Sequence, residues 1–206
     1  REENEVNQET HRRYEMSALG TLAGEVGGPD DPRVPYTDCR GNVDNGVCTA
    51  ENGAGGNNAH LRQEKFPTLG SDIPLVKGTE MRLIEAEAAI RGETVNLGEF
   101  TTQINAVREF HDLDPISQPS AVGSLEYPNA EDDALSILDR ERHLTLWLEG
   151  RRLNDLTRWD HPFRDGGAVV YTNNIVSQRA TIMPVAESEC NNNENVECPA
   201  QEVYTP

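Results

Sequence analysis

Positive charge is scarce in this 206-residue chain, and lysine is its scarcest form. Eighteen Lys and Arg face 36 Asp and Glu, a formal net charge of −18. Lys65 and Lys77 are the only lysines, leaving 18 − 2 = 16 arginines. So acidic a surface repels polyanions instead of releasing their counterions, which argues against nucleic acid as a partner and promotes solubility. Long apolar runs are missing as well. The greasiest stretch, Leu144 to Leu148, is interrupted by Thr145, far short of the roughly 18 residues that cross a bilayer. The opening REENEVNQETHRR contains no apolar signal core and begins at Arg1, so the chain reads as a processed or truncated product. Catalytic signatures are also lacking: no G-x-S-x-G, H-E-x-x-H or P-loop occurs, and GAGGNN lacks the third glycine of a dinucleotide fingerprint. What remains is a lean but foldable composition, 35% hydrophobic with 17 Gly, in a chain long enough to bury roughly 70% of its unfolded surface.

The four cysteines fall into two local pairs, Cys39 with Cys48 and Cys190 with Cys198, each enclosing a polar segment. Even number and tight pairing favour two disulfides over free thiols, and neither spacing supplies the short C-x2-C knuckle of a zinc site. An extracytoplasmic location follows. Within CRGNVDNGVC the EF-hand pattern fails, because Arg40 takes the first ligand position and Asn45 the glycine position. An irregular calcium site on Asp38 and Asp44 stays open. No other cofactor is expected.

Along the chain, residues 1–26 hold a possible leading helix over 5–22. Residues 27–78 are rich in Gly, Asn, Asp and Pro and read as a long irregular loop segment. The helical core spans 79–160. In TEMRLIEAEAAIRG, Met81, Ile84, Ala88 and Arg91 share a face that Leu83 and Ala86 widen, predicting a helix over 79–91 that Gly92 caps. Asn96 followed by Glu99 is a capping-box-like start, and Phe100, Ile104, Val107 and His111 predict a second helix to about 111. The short connection makes the two an antiparallel hairpin. A third helix, capped near Asn129, carries Ala134, Ile137, Leu138, Leu144 and Leu148. RRLNDLTRW continues helically until Asp160-His161-Pro162 stops it. Residues 161–206 read as an extended, loop-like tail.

SDIPLVKGTEMRLIEAEAAIRG, INAVREFHDL, LDRERHLTLWLEGRRLNDLTRW and IMPVAESE, in this order, resemble the C-terminal half of the SusD/RagB family. The resemblance implies an all-α fold of tetratricopeptide-like helical hairpins with long irregular loops and little or no sheet. It implies a non-catalytic cell-surface protein of the outer membrane that captures a glycan or other nutrient and works with a SusC-like, TonB-dependent transporter. It also implies that the chain is part of a longer protein. Thr145 stands where members often have Glu, and NNNENV where Asn-Pro-Asn is usual.

Several clusters invite a chemical reading. Glu85 and Glu87 lie two apart on a helix and diverge, which suits a solvated edge and an interhelix hydrogen bond. His111, Asp112 and Asp114, like Asp160, His161 and Asp165, sit at helix ends before proline, where polar residues cap and turn. The densest constellation is Glu141, Arg142, Glu149, Arg151, Arg152, Asp155, Arg158 and Trp159. Its charges interleave with Leu153 and Leu156, which favours a buried ion network pinning the last helix, with an arginine packed on Trp159. With only 11 aromatics in the chain (4 Phe, 5 Tyr, 2 Trp), the sugar-stacking candidates are the loop residues Tyr36, Tyr127 and Tyr171. The competing reading is an extracellular structural protein whose hairpins assemble with copies of themselves into a filament or surface layer.

Overall fold

The computed structural model describes residues 4–7, 11, 17, 31–53, 56, 59–125, 133–159, 170–171 and 175–176. The elements are α1 (Glu5–Asn7), β1 (Tyr36–Asp38), β2 (Leu61–Gln63), α2 (Gly78–Arg91), α3 (Leu97–Phe110), α4 (Ala134–Thr145), α5 (Arg152–Arg158), β3 (Val170–Tyr171) and β4 (Ile175–Val176). The fold is mostly helical, with sheet confined to two antiparallel pairs, β1 with β2 and β3 with β4.

The hairpin of α2 and α3 forms from local signals. The Asn96 side chain accepts from the Glu99 N–H at 3.0 Å, fixing the start of α3. Contacts from Arg82 to Gln103 and from Asn96 to Ala89 set the helices antiparallel. Leu83, Ala86 and Ile90 of α2 meet Phe100, Ile104 and Val107 of α3, and Ala134, Ile137 and Leu138 of α4 close the core with Leu146 and Trp159. The face of α2 differs from the predicted one. Met81 and Ile84 are 42% and 47% exposed, while Thr79, Leu83, Ala86 and Ile90 are buried. Because α2 spreads apolar and charged residues around its whole circumference, periodicity alone offers two competing stripes and the packing of α3 selects one. Gly92 takes the C-cap position, but at φ −70° it does not use the left-handed region.

The third helix also ends earlier than expected, at Thr145. Its C-terminal turn tightens as Trp147 donates to Leu144 O and Glu149 to Leu146 O, and Leu148 (φ 61°) and Gly150 (φ 74°) turn the chain away. Extension is blocked because the carbonyl that the Glu149 N–H would need, Thr145 O, accepts from Lys77 Nζ at 2.8 Å and Lys65 Nζ at 3.3 Å. The N-cap position is Asp133; Asn129 lies outside the described residues, as does most of the predicted leading helix.

The segment expected to be irregular carries a short ladder, with Tyr36 opposite Gln63, Thr37 opposite Arg62 and Asp38 opposite Leu61. A disulfide joins Cys39 to Cys48 across the turn that follows β1. Cys190 and Cys198 lie outside the described residues. Val34, Leu61, Leu144 and Trp147 form a second core, so the ladder packs on the C-terminal end of α4. Polar side chains from the start of the chain run along the same segment. Asn4 reaches Ser71, Asn7 reaches Phe66, His11 meets Gln63 O and Ser17 bonds Ala59 and Leu61.

Glu141, fully buried on α4, fastens these layers. Arg33 binds one of its oxygens and Arg108 of α3 the other, at 2.7 Å, while Asp31 holds the far side of Arg33 at 2.7 Å. Burial alone would raise the Asp31 carboxyl; the hydrogen bonds and charge of Arg33 outweigh it and hold the group below its ordinary value. Glu141→Ala takes the carboxylate from Arg108 and leaves the deeply buried Arg33 with Asp31 alone. It is expected to lower unfolding free energy by about 3–5 kcal/mol in denaturant titration. Replacing Cys39 and Cys48 by Ser should cost about 2.5 kcal/mol by loop entropy, measured the same way; an unchanged midpoint would show that the loop is ordered without its crosslink.

Candidate functional site

The constellation 141–159 separates into pairs whose partners mostly come from elsewhere in the chain. Arg142, buried on α4, forks onto Asp155 of α5 through Nε and Nη2, both at 2.9 Å. Asp155 also accepts from Arg158 Nη2 at 2.9 Å. Arg158 continues to Glu87 of α2, whose same oxygen accepts from Trp159 Nε1 at 2.7 Å and pairs in charge with Arg91, Nε 3.3 Å away. Burial would raise the Glu87 carboxyl, but the Arg158 and Trp159 hydrogen bonds outweigh it and keep the group below its ordinary value. The Arg142 and Arg158 guanidinium carbons lie 5.8 and 5.0 Å from the Trp159 ring centroid, within cation–π range. Arg152 binds Asp139, and Arg151 binds Glu80 at 2.9 Å. A seven-residue helix is thereby tied to both α2 and α4. Within the predicted set, Arg142, Asp155, Arg158 and Trp159 are brought together by their side chains, and Arg151 Nη1 reaches Glu149 O at 3.4 Å.

Glu149 gathers the two lysines of the protein. Lys65 and Lys77 each place Nζ 2.7 Å from its Oε1, and Lys65 also donates to Trp147 O at 2.8 Å. An ammonium suits this place better than a guanidinium, because its three donors point in different directions, toward helix-end carbonyls and a carboxylate at once. Positive charge at a helix C-terminus also opposes the dipole there. Burial, with help from the Lys77 charge, pushes Lys65 down to about 8 against the pull of Glu149.

Two of the three tyrosines fall among the described residues. Tyr36 stands in β1, half-buried against the second core, and not in a loop. Tyr171 is in β3, opposite Ile175, and Tyr127 lies outside the described residues. Among the described residues the exposed aromatic is Phe110, at 72% on the last turn of α3, a position that periodicity passed over because it falls off the buried stripe. His111 caps α3, and Asp112 (φ 55°) with Leu113 closes its end by backbone bonds to Glu109 and Arg108. Both Asp38 oxygens accept from Arg40, which occupies the carboxylate proposed for calcium. Asp160, His161 and Asp165 lie outside the described residues. Among the described residues there is no cluster of His, Cys, Asp and Glu fit to hold a metal, and no helix long and apolar enough to cross a membrane.

Between α2 and α5 the surface opens into a groove of about 470 Å³, with Ile84, Ala88 and Arg91 on one side and Arg142, Arg151 and Arg158 on the other. The sequence does not announce it, since its two walls lie roughly 50–75 residues apart and it lies along the stripe of α2 that periodicity assigned to the core.

A profile of the SusD family matches residues 58–203, more than half of the chain. The chain belongs to the SusD family, a membership that points to a nutrient- or glycan-binding surface protein without catalytic activity. No curated protein sequence matches it.

Lys65 provides a check on this electrostatic picture. With its folded value near 8 and an ordinary value of 10.5, the unfolded chain holds the extra proton between these pH values, so this group's contribution to stability grows as pH rises from about 8 to 10.5. Trace acetylation across pH, read by mass spectrometry, should show Lys65 titrating near 8; a midpoint at the ordinary lysine value would mean that the amine is not desolvated.

Proposed function

We propose that the chain is a SusD-like unit of a non-catalytic nutrient-capture protein, held at the outer face of the outer membrane and working with a SusC-like, TonB-dependent transporter. The observation that carries this reading is the family match over residues 58–203. Two features are in keeping with it. The charged residues of α5 are engaged in holding helices together, and the start of the α2–α3 hairpin with the segment leading into it keeps Leu75, Val76 and Met81 exposed, as expected of a tetratricopeptide-like pair stacking on another helical pair. In this reading residues 1–206 act as one region, with 79–160 as its helical scaffold and the surrounding loops as its binding surface. Tyr36, Tyr127 and Tyr171 are assigned to ligand contact and Cys190–Cys198 to a second loop crosslink. An affinity-tagged copy expressed in its own cells should recover the transporter from detergent extracts at near-equal amounts and should bind an oligosaccharide saturably in calorimetry. Regular polymers of the chain under the electron microscope, with no transporter recovered, would replace this reading with self-assembly.

A further inference from the structure

The alternating charges beside α5 are out of balance. From the groove inward the order is Arg91, Glu87, Arg158, Asp155, Arg142, three guanidiniums on two carboxylates. Arg151 does not alter the count, because Glu80 compensates it. Both ends of the series have donors to spare. Arg91 reaches Glu87 only through Nε, and among the described residues its two Nη groups meet no acceptor. At the other end Arg142, 5% exposed, gives Nε and Nη2 to Asp155 while its Nη1 has no acceptor. Among the described residues one positive charge is therefore unmatched in a partly desolvated recess of a molecule whose net charge is −18. The attraction of an anion to such a recess exceeds its attraction to an exposed arginine. The groove volume of about 470 Å³ suits a small organic ligand. Its chemistry has two parts: a planar fork matching a carboxylate at Arg91, and an apolar strip at Ile84 and Ala88.

We infer that this groove binds a hexuronic acid residue of an acidic glycan. The carboxylate lies on the Nη fork of Arg91 beside Arg158, and the C–H face of the ring lies over Ile84 and Ala88. The inference rests on the nutrient-capture reading for the source of the ligand, and it adds a charge preference and an address that reading does not contain. Arg91 and Ile84 are partly exposed, so both can be changed without opening the core.

The test is calorimetric titration of the full chain with trigalacturonate, its uncharged methyl ester and acetate. Trigalacturonate is expected to bind roughly tenfold or more tighter than the ester, the scale of a lost charged hydrogen bond, and tighter than ringless acetate. Arg91→Gln should weaken it by about tenfold. Ile84→Glu, which tethers a competing carboxylate inside the groove, should abolish binding with the melting temperature preserved. The proposal is overturned by equal affinity for acid and ester, by acetate matching the uronate, by binding that survives Ile84→Glu, or by no binding of trigalacturonate at millimolar concentration. In any of these cases a neutral oligosaccharide that still binds leaves the nutrient-capture reading intact; if none binds, that reading falls with it.

Discussion

Glu141 is the constraint on which the arrangement turns. A fully buried carboxylate on α4 has no solvation of its own, and its position is tolerable only while Arg33 and Arg108 occupy its two oxygens. Satisfying it places the segment before β1 and the last turns of α3 against the same helix. Once those are in place, Val34 meets Leu144 and Trp147 in the second core, while the α2–α3 hairpin meets Ile137 and Leu138 in the first. The apolar contacts supply most of the driving force, but they are non-directional; the carboxylate decides which surfaces come together.

What could be read from the sequence follows from the range of the forces involved. The boundaries of α2 and α3 were legible because propensity, capping at Asn96 and the short connection all act within a few residues. The buried face of α2 was not, because two apolar stripes compete and the choice belongs to α3. The end of the third helix was hidden for a related reason: the carbonyl of Thr145 is claimed by lysines 80 and 68 residues away, and no local pattern announces such a partner. The charge string of α4 and α5 was legible as a set of ion-pairing residues, but the partners at 33, 65, 77, 80, 87, 108 and 139 come from the loop segment before α2 as well as from the helical core. Of the aromatic candidates, Tyr36 was placed in a loop because a three-residue strand is too short for alternation to show.

The chain also divides its cations by task. Arginine is used where a planar fork must grip a carboxylate from one side, as Arg142 grips Asp155, or lie against an indole, as Arg158 lies against Trp159. Lysine is kept for the one junction where donors must reach in several directions from a single atom. The acidic excess is thus a property of the surface as a whole, while the helix junctions are locally balanced or slightly positive.

Confining lysine to that junction gives the molecule an uneven susceptibility to cleavage. A protease that cuts only after lysine has two targets in 206 residues, and both side chains are folded inward onto Glu149 and the end of α4. Such an enzyme can act only when the segment between β2 and α2 lifts away from α4, so its rate measures the opening of one joint. Arginine-specific enzymes, with 16 sites, would instead find exposed points such as Arg40 without any opening at all.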